Sequence, residues 1–278
     1  MEFADLHIHS SFSDSSLSSE DIFKHAFRQN LSCISVTDHD NLDFYSSGDF
    51  KTFSKKYSIE IIKGIELSAQ YHDKELHLLG YFADFEIDKD FLGILEKLKQ
   101  DRYLRIVKII DILFSLGFNI KIDEFNEFAK GTSLSRLNLA VFMKHKRIVK
   151  DIKEAFSKYL GVGKPAYVGR FRYELPEAIG ILKRSRALVF LAHPLDIEDY
   201  RIIANFIPYG LDGIEVFYPS YTKDVRNLYK NLADKLSLLV CGGSDSHGKY
   251  KRYYIGCAKF PYEYVKRIKH EFRRILHK

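Results

Sequence analysis

The segment Asp5–His9, with the sequence DLHIH, constrains the fold more than any other stretch of this chain. Residues two apart on a strand project to the same face, so His7 and His9 would aim two imidazole rings at one point. Asp245 and His247 repeat this spacing near the other end of the sequence, directly after an apolar run. We therefore expect a fold that brings the two ends of the chain to one site.

Other histidines and carboxylates stand at the end of, or within, short apolar runs that are typical of buried strands. In parallel β/α barrels, side chains from distant segments converge at the carboxyl ends of the strands. Nine residues of ligand type are too many for one ion and suit two or three. Imidazole and carboxylate without thiolate favour manganese, with iron or zinc as alternatives, over a cysteine-rich structural zinc site. The candidate ligands are His7, His9, Asp14, His39, Glu66, His77, His193, Asp245 and His247.

Strand and helix patterns alternate over residues 1–88 and 174–278, which predicts an α/β fold of parallel strands covered by helices. The predicted strands include one that ends at Glu66, one over Glu75–Phe82 and a short one over Ile255–Ala258. Residues 89–173 show helical periodicity instead, without a strand pattern. We therefore predict a barrel that carries the metal site, interrupted by a helical insertion over residues 89–173.

The composition narrows the class of protein. The hydrophobic content of 46% is ample for a large core, and no apolar run reaches the length of a membrane span. No signal peptide fits, because the chain enters its first strand directly after Met1-Glu2. The three cysteines, Cys33, Cys241 and Cys257, are odd in number and lack a CxxC spacing, as in a reduced protein. We expect a cytoplasmic protein with no membrane association and no evident obligate protein partner.

Positive charge is concentrated in the predicted insertion. Residues 89–173 contain 18 Lys and Arg against 9 Asp and Glu, a net charge of +9, whereas the whole chain has +6. Such an excess is either an ordinary solvated surface or a basic cap that faces an anionic substrate.

Several separated motifs resemble those of the PHP family, named for polymerase and histidinol phosphatase. They are His7–His9 (HIH), Thr37–Asp40 (TDHD), Gly64–Ser68 (GIELS), Ala192–Pro194 (AHP) and Gly243–Gly248 (GSDSHG). The resemblance implies a distorted seven-stranded β/α barrel of TIM-like form, with a helical insertion and a trinuclear metal centre.

The resemblance also implies how the ligands are shared among the ions. Three carboxylates outside the ligand set, Asp5, Asp38 and Asp40, are expected to orient ligands rather than to bind metal. By the match, one ion would be held by His7, His9, Glu66 and Asp245, a second by Asp14, His39 and His247, and a third by Glu66 with His77 and His193.

Within the family, the insertion is similar to that of the stand-alone branch that acts on nucleotides and short oligonucleotides. The similar segments are Ser135–Ala140, Phe156–Leu160 and Lys164–Val168, although Leu137-Asn138 replaces the Pro-His of that branch. The implied substrates are nucleoside 3′,5′-bisphosphates, AMP-like nucleotides or short 5′-phosphorylated RNA. The implied reaction is attack on phosphorus by a metal-bound hydroxide, supported by Glu66 and His193.

Arg136 and Lys158 are the candidates for holding a substrate phosphate, since Arg offers a two-pronged contact and Lys a point charge. The alternative is that both are helix residues facing solvent.

Other functions remain open at this point. A histidinol-phosphate-type phosphatase is the main alternative, and a DNA exonuclease is expected less because no polymerase domain accompanies the motifs. A barrel amidohydrolase also opens with His-x-His, but it would need a bridging lysine where this sequence has Glu66. A non-catalytic metal-bound or nucleic-acid-binding module would have lost some ligands, and none of the expected ligands is missing.

Overall fold

Two β-sheets carry the candidate ligands in the computed structural model, which describes residues 2–72, 74–84, 88–130, 134–197 and 199–277. One sheet has the strand order β10-β1-β2-β3 and the other β6-β4-β5-β7-β8-β9. The strands are β1 (Phe3–Ile8), β2 (Leu31–Val36), β3 (Glu60–Ile61), β4 (Lys63–Tyr71), β5 (Lys74–Phe82), β6 (Tyr173–Glu174), β7 (Ala187–Leu191), β8 (Gly213–Phe217), β9 (Leu239–Gly242) and β10 (Phe260–Pro261).

Most neighbouring strands are parallel, which confirms the mixed α/β fold with parallel pairing, but the short β10 runs antiparallel to β1 and β5 is a further exception. It runs antiparallel to both β4 and β7. The prediction of parallel strands was wrong here, because only two residues separate the end of β4 from the start of β5 and a parallel pair needs a crossover of a dozen or more residues. Glu66 was also expected at a strand end, whereas β4 continues past it to Tyr71.

Contacts between the two sheets occur on either side of the site. Ile8 at the end of β1 forms a parallel bridge with Ser246, and His39 forms one with Glu66. These bridges place the polar segments that follow β1, β2 and β9 next to each other and to the middle of β4. The seven-stranded closed barrel expected from the sequence remains a prediction.

The helices cover the sheets, and among the described ones none is both long and apolar enough to cross a membrane. The α-helices are α1 (Ser19–Arg28), α2 (Asp43–Ser46), α3 (Asp49–Tyr57), α4 (Lys89–Ser115), α5 (Ile122–Phe128), α6 (Arg136–His145), α7 (Ile152–Ala155), α8 (Leu175–Arg184), α9 (Lys223–Leu236) and α10 (Tyr262–Leu276). A π-helical turn spans Phe156–Leu160, and 3-10 helices span Pro194–Asp196, Tyr200–Tyr209 and Gly248–Tyr250.

The long helix α4 packs against two different hydrophobic cores. Phe91 and Leu95 in its first half contact the core between the sheets and their helices. Ile109 and Leu113 in its second half belong to a separate core with α5, α6 and α7. The helix ends before Gly117, whose φ of 88° is the left-handed conformation that glycine adopts at a helix end.

In the described part of residues 89–172 the chain forms helices and turns without a strand. The exact division between barrel and insertion stays a prediction. Near the other end of the chain, the predicted strand over Ile255–Ala258 was wrong: these residues form turns, and the two-residue strand β10 follows them. Cys257, expected in that strand, is half-buried in the turn.

Candidate metal centre

Glu66 lies at the centre of the candidate ligands and offers its two carboxylate oxygens to different histidines. The strand β4 holds this side chain almost fully buried, at 1% exposure. Its Oε2 atom lies 3.3 Å from His7 Nε2, 3.1 Å from His9 Nε2 and 3.1 Å from His39 Nδ1. Its Oε1 atom lies 2.9 Å from His77 Nδ1 and 3.2 Å from His193 Nε2.

Two aspartates complete the arrangement on either side of His9. Asp245 Oδ1 lies 3.2 Å from His9 Nε2 and 3.7 Å from His7 Nε2. Asp14 Oδ1 lies 3.1 Å from His247 Nε2 and 3.9 Å from His9 Nδ1. All nine predicted ligands therefore meet in one site, although they come from opposite ends of the chain.

The ligand atoms fall into three overlapping groups, within each of which they lie within 4.8 Å of one another. The first two groups match the sets implied by the family resemblance, with His9 added to the second set. The third group contains His39 in the place where the resemblance implied His193. His193 lies close by, with its Nε2 atom 3.3 Å from His77 Nδ1. The groups are His7, His9, Glu66 and Asp245; His9, Asp14, His39 and His247; and His39, Glu66 and His77.

Several of these atoms are buried and lack a well-formed hydrogen bond to any described residue, although they point at one another. Buried polar atoms of this kind normally have a hydrogen-bond partner. Imidazole nitrogens and carboxylate oxygens can instead donate an electron pair to a divalent transition-metal ion. The site therefore fits such ions. The atoms are His7 Nε2, His9 Nδ1 and Nε2, His39 Nδ1, Glu66 Oε2 and His247 Nε2.

Burial and mutual attraction set the protonation of the ligands in the absence of an ion. Burial lowers the pKa of His39 to about 3, which keeps its imidazole neutral and able to bind metal. Burial opposes the charge on Glu66 too, but His39 and His7 hold the pKa of its carboxyl well below the usual range. For His9, hydrogen bonds to Asp245 and Glu66 outweigh burial and raise its pKa to about 9.

An arginine-lined cavity of about 180 Å³ opens beside the ligands and is formed largely by the predicted insertion. Arg170 donates to Ser68 Oγ and, over 2.7 Å, to Glu75 Oε1. Arg136, a predicted phosphate-binding residue, donates to the carbonyl of Leu160 over 3.1 Å. The cavity is lined by Asp14, His39, Glu75, His77, Arg102, Arg105, Ser135, Arg136, Leu137, Phe156 and Arg170.

Lys158, the other predicted phosphate-binding residue, is not brought to this cavity. Its side chain is 59% exposed, and its Nζ atom forms an ion pair of 2.7 Å with Glu154 one helical turn earlier. The arginines at 102, 105 and 170, which the sequence analysis did not select, line the cavity instead. The net positive charge of the insertion indicated them only as a group.

Residues 5–165 match the PHP domain, which is more than half of the chain. The chain belongs to the PHP family. It is accordingly a metal-dependent hydrolase, and the clusters described above are where this PHP protein could hold metal ions.

Curated relatives span most of this PHP protein. A Haemophilus influenzae 5′-3′ exoribonuclease is 29% identical over 87% of this chain and 89% of its own length. A Chromobacterium violaceum 3′,5′-nucleoside bisphosphate phosphatase is 26% identical over 87% of this chain and 86% of its own length. A crystal structure from Bifidobacterium adolescentis, named provisionally as a metal-dependent phosphoesterase, superposes with a TM-score of 0.86 at 22% identity, covering 96% of this chain and 95% of that one. This last likeness concerns the fold.

Glu215 is a buried carboxylate of this PHP protein that the sequence analysis missed. Its Oε1 atom lies 3.0 Å from His7 Nδ1, and its Oε2 atom accepts the backbone N–H of His193 over 2.8 Å. It therefore supports two candidate ligands at once. The available indication was its place in the middle of the apolar strand GIEVF, where a charge needs a partner.

The three predicted supporting aspartates hold backbone segments rather than imidazole rings. Asp5 accepts backbone N–H groups from His7, Ser244 and Gly256, and burial raises its pKa to about 6. Asp38 accepts hydrogen bonds from Ser10 and Ser13 in the loop that leads to Asp14. Asp40 accepts the N–H of Ser68 over 2.7 Å and pairs with Arg102 of α4 over 2.6 Å.

Positive backbone φ angles occur at three residues of the site: Asp40 at 50°, His193 at 26° and Asp245 at 49°. Such angles cost energy for residues other than glycine and tend to occur at functional sites. The surrounding hydrogen bonds, such as that from His193 N–H to Glu215, hold the backbone in these conformations.

A second cavity, of about 220 Å³, opens on the other side of His39 and His77. The Tyr218 hydroxyl donates to Asp245 Oδ2 over 2.9 Å, and Lys251 Nζ lies 3.1 Å from the same oxygen. This cavity is lined by His39, Glu66, His77, His193, Leu195, Asp196, Tyr218, Ser220, Tyr221, Asp245 and Lys251.

Proposed function

We propose that this protein is a phosphoesterase that hydrolyses phosphate esters of nucleotides, either nucleoside 3′,5′-bisphosphates or short 5′-phosphorylated RNA. The observation that carries the proposal is the arginine-lined cavity, which adjoins Asp14, His39 and His77 of the candidate metal centre. A substrate with two phosphates would place one at the ligands and the other among the arginines. The names of the H. influenzae and C. violaceum relatives support these substrate classes.

We also propose that the nine ligands hold two or three divalent ions, with manganese first and iron or zinc as alternatives. Bound ions of this kind neutralise phosphate oxygens and lower the pKa of water, so that a nucleophile is available at neutral pH. The overlap of the three ligand groups at Glu66, His9 and His39 supports more than one ion.

The residues of the chain itself would bind and orient the substrate. Arg136 and Arg170 offer planar, two-pronged donors for a phosphate that is not cleaved. Glu66 and His193 both line the second cavity and face each other across 3.2 Å. We expect these two residues to position the attacking water opposite the leaving oxygen.

The test is a panel assay with Mn²⁺ that compares adenosine 3′,5′-bisphosphate, 5′-phosphorylated short RNA, AMP, histidinol phosphate and an aryl phosphate. The proposal predicts the highest kcat/KM for the two substrates that carry a second phosphate. A higher kcat/KM for histidinol phosphate would favour the small-molecule phosphatase instead. Hydrolysis of an amide or lactam with no hydrolysis of any phosphate ester would favour an amidohydrolase.

A further inference from the structure

We propose that residues 249–254, together with the cavity lined by Tyr218 and Tyr221, bind the part of an oligonucleotide that lies beyond the scissile phosphate. We call this surface the basic aromatic track. The inference rests on the proposed function and deepens it, since it makes the preferred substrate a chain of nucleotides rather than a single bisphosphate.

The arrangement of the two cavities sets the direction in which a bound chain would run. They share His39 and His77 as lining residues and otherwise have different walls. If the 5′-phosphate lies among the arginines and the scissile phosphate at the ligands, the rest of the chain beyond the scissile phosphate must extend away from the arginines. The cavity on that side is the one beside Tyr218, with room of about 220 Å³.

Aromatic rings line and adjoin the cavity beside Tyr218. The Tyr218 ring is held by its hydroxyl on Asp245, with its centroid 5.3 Å from that of Tyr221 and 6.2 Å from that of Tyr253. Tyr254, the next residue along the chain, is 57% exposed. Exposed or edge-accessible tyrosines bind successive bases by stacking, which tolerates any base sequence.

The segment that contributes Lys251 to this cavity is basic. The segment GKYKRYY at residues 248–254 contains Lys249, Lys251 and Arg252 and no acidic residue. All three cations are exposed, and Lys251 reaches back to Asp245 at the centre. Asp196, which also lines the cavity, is already paired with His193 Nδ1 over 2.7 Å. Cations alternating with aromatic rings are the combination that single-stranded nucleic-acid grooves use.

These observations predict a dependence on substrate length. A nucleoside bisphosphate ends at the scissile phosphate, so it has no group to place against Arg252 or Tyr254. A longer chain has further phosphates and bases, which would contact both side chains.

The experiment compares kcat/KM for a 5′-phosphorylated hexaribonucleotide and for adenosine 3′,5′-bisphosphate in the wild type, Arg252→Ala and Tyr254→Ala. The matched control is Lys235→Ala, an exposed lysine in the last turn of α9, before the start of β9 and away from the site. We expect the ratio of the two kcat/KM values to fall by about 5- to 20-fold in each track variant and to stay unchanged in the control. For Arg252→Ala, the slope of log affinity against log salt should also fall by about 0.7, the amount for one phosphate contact on a single strand.

A binding measurement separates failure of this inference from failure of the proposed function. Fluorescence anisotropy with a phosphorothioate version of the hexamer reports on the track whether or not the protein hydrolyses the substrate. If the wild type hydrolyses the bisphosphate, but the track variants change neither the ratio nor the anisotropy titration, the inference is overturned and the proposed function stands. If the wild type hydrolyses neither substrate, the proposed function fails, and unchanged hexamer affinity in the variants would overturn the track as well.

Discussion

At the scale of single residues, Glu215 shows how a buried charge supports the centre without being a candidate ligand. A glutamine has the same shape, but it has only one oxygen for the two donors that the carboxylate serves on His7 and His193. Glu215→Gln should therefore misorient one of them and lower kcat/KM by about 10- to 100-fold with loss of bound metal.

The measurement for Glu215→Gln is steady-state kinetics together with elemental analysis, with circular dichroism to verify folding. Glu177→Gln, an exposed glutamate at the start of α8, is the matched control. Activity and metal content equal to those of the wild type would show that Glu215 is only a tolerated buried charge.

A second prediction at this scale separates the two residues that were selected from the sequence for phosphate binding. Arg136 lines the arginine cavity, whereas Lys158 is exposed and paired with Glu154. Arg136→Ala and Arg170→Ala should lower kcat/KM for adenosine 3′,5′-bisphosphate by about 10- to 150-fold, corresponding to about 1.5–3 kcal/mol for a charge-assisted contact, and less for an aryl phosphate.

Lys158→Ala serves as the internal control for the two arginine variants and should leave both substrates unaffected. Equal losses on both substrates in an arginine variant would show that the arginine touches the scissile phosphate or only supports the fold. A loss on Lys158→Ala comparable to that of Arg136→Ala would contradict the placement of Lys158 outside the cavity.

The sequence was most informative where strand periodicity and residue chemistry agreed. His7 and His9 could be paired from their spacing alone, and every predicted ligand lies in the site. Arg102 and Arg170 could not be selected, because an arginine on an amphipathic helix or in a loop has no pattern that distinguishes a cavity wall from solvent. Their roles depend on how the insertion packs on the sheets, which is a tertiary contact.

At the scale of elements, a largely buried ion pair joins helix α4 to the segment that follows strand β2. The Arg102 and Asp40 side chains are 11% and 6% exposed and 2.6 Å apart. Burial opposes the charge on Asp40, but Arg170 and Arg102 keep its pKa below the usual value. Removing Arg102 leaves the buried Asp40 carboxylate with Arg170, 3.8 Å away, as its remaining partner in this pair network, so its charge is only partly neutralised.

Arg102→Leu should therefore lower the free energy of unfolding by about 2–3 kcal/mol at pH 7, below the range for a buried charge left with no partner. Asp40→Asn keeps the acceptor for Ser68 N–H, so the double variant should be less destabilised than the sum of the two single variants. Urea unfolding of the four proteins measures this cycle. Strict additivity would show that the pair does not hold the helix.

Lys63, at the start of β4, should make the free energy of unfolding depend on pH. Burial lowers its pKa to about 8 from the ordinary 10.5, so the unfolded chain binds the proton more tightly than the folded one between these values. The stability of the wild type should therefore rise by about 3 kcal/mol in total as the pH increases from about 8 to 10.5, the gap between the two pKa values. Lys63→Met should remove this slope and be more stable at pH 7, as measured by denaturation at several pH values. An unchanged slope would contradict the shift.

The sequence determines where some helices begin but not the direction of every strand. The start of α1 depends only on local sequence, because Ser18 and Asp21 form a capping box with each other across three residues. The direction of β5 did not follow, because an apolar run has the same pattern in parallel and antiparallel sheets. The direction of β5 depends on the two-residue separation between β4 and β5, which is too short for a parallel crossover.

At the scale of the whole molecule, the two sheets and the helices of the predicted insertion border the candidate centre, and two cavities share His39 and His77 there. The arginine cavity comes largely from the insertion, and the tyrosine cavity comes from the segments after β7, β8 and β9. Under the proposed function, this division would let the arginine cavity hold the 5′ end of a substrate while the segments after β8 and β9 contact the chain beyond the scissile phosphate.

The most direct test of the central claim is the metal content of fully active protein. Elemental analysis should find two to three transition-metal ions per chain in the wild type. His7→Ala and Asp245→Ala should lose metal and nearly all turnover while keeping their circular dichroism spectrum, since both side chains face the other ligands rather than the hydrophobic core. Full activity in wild-type protein that holds fewer than two ions per chain would contradict the account.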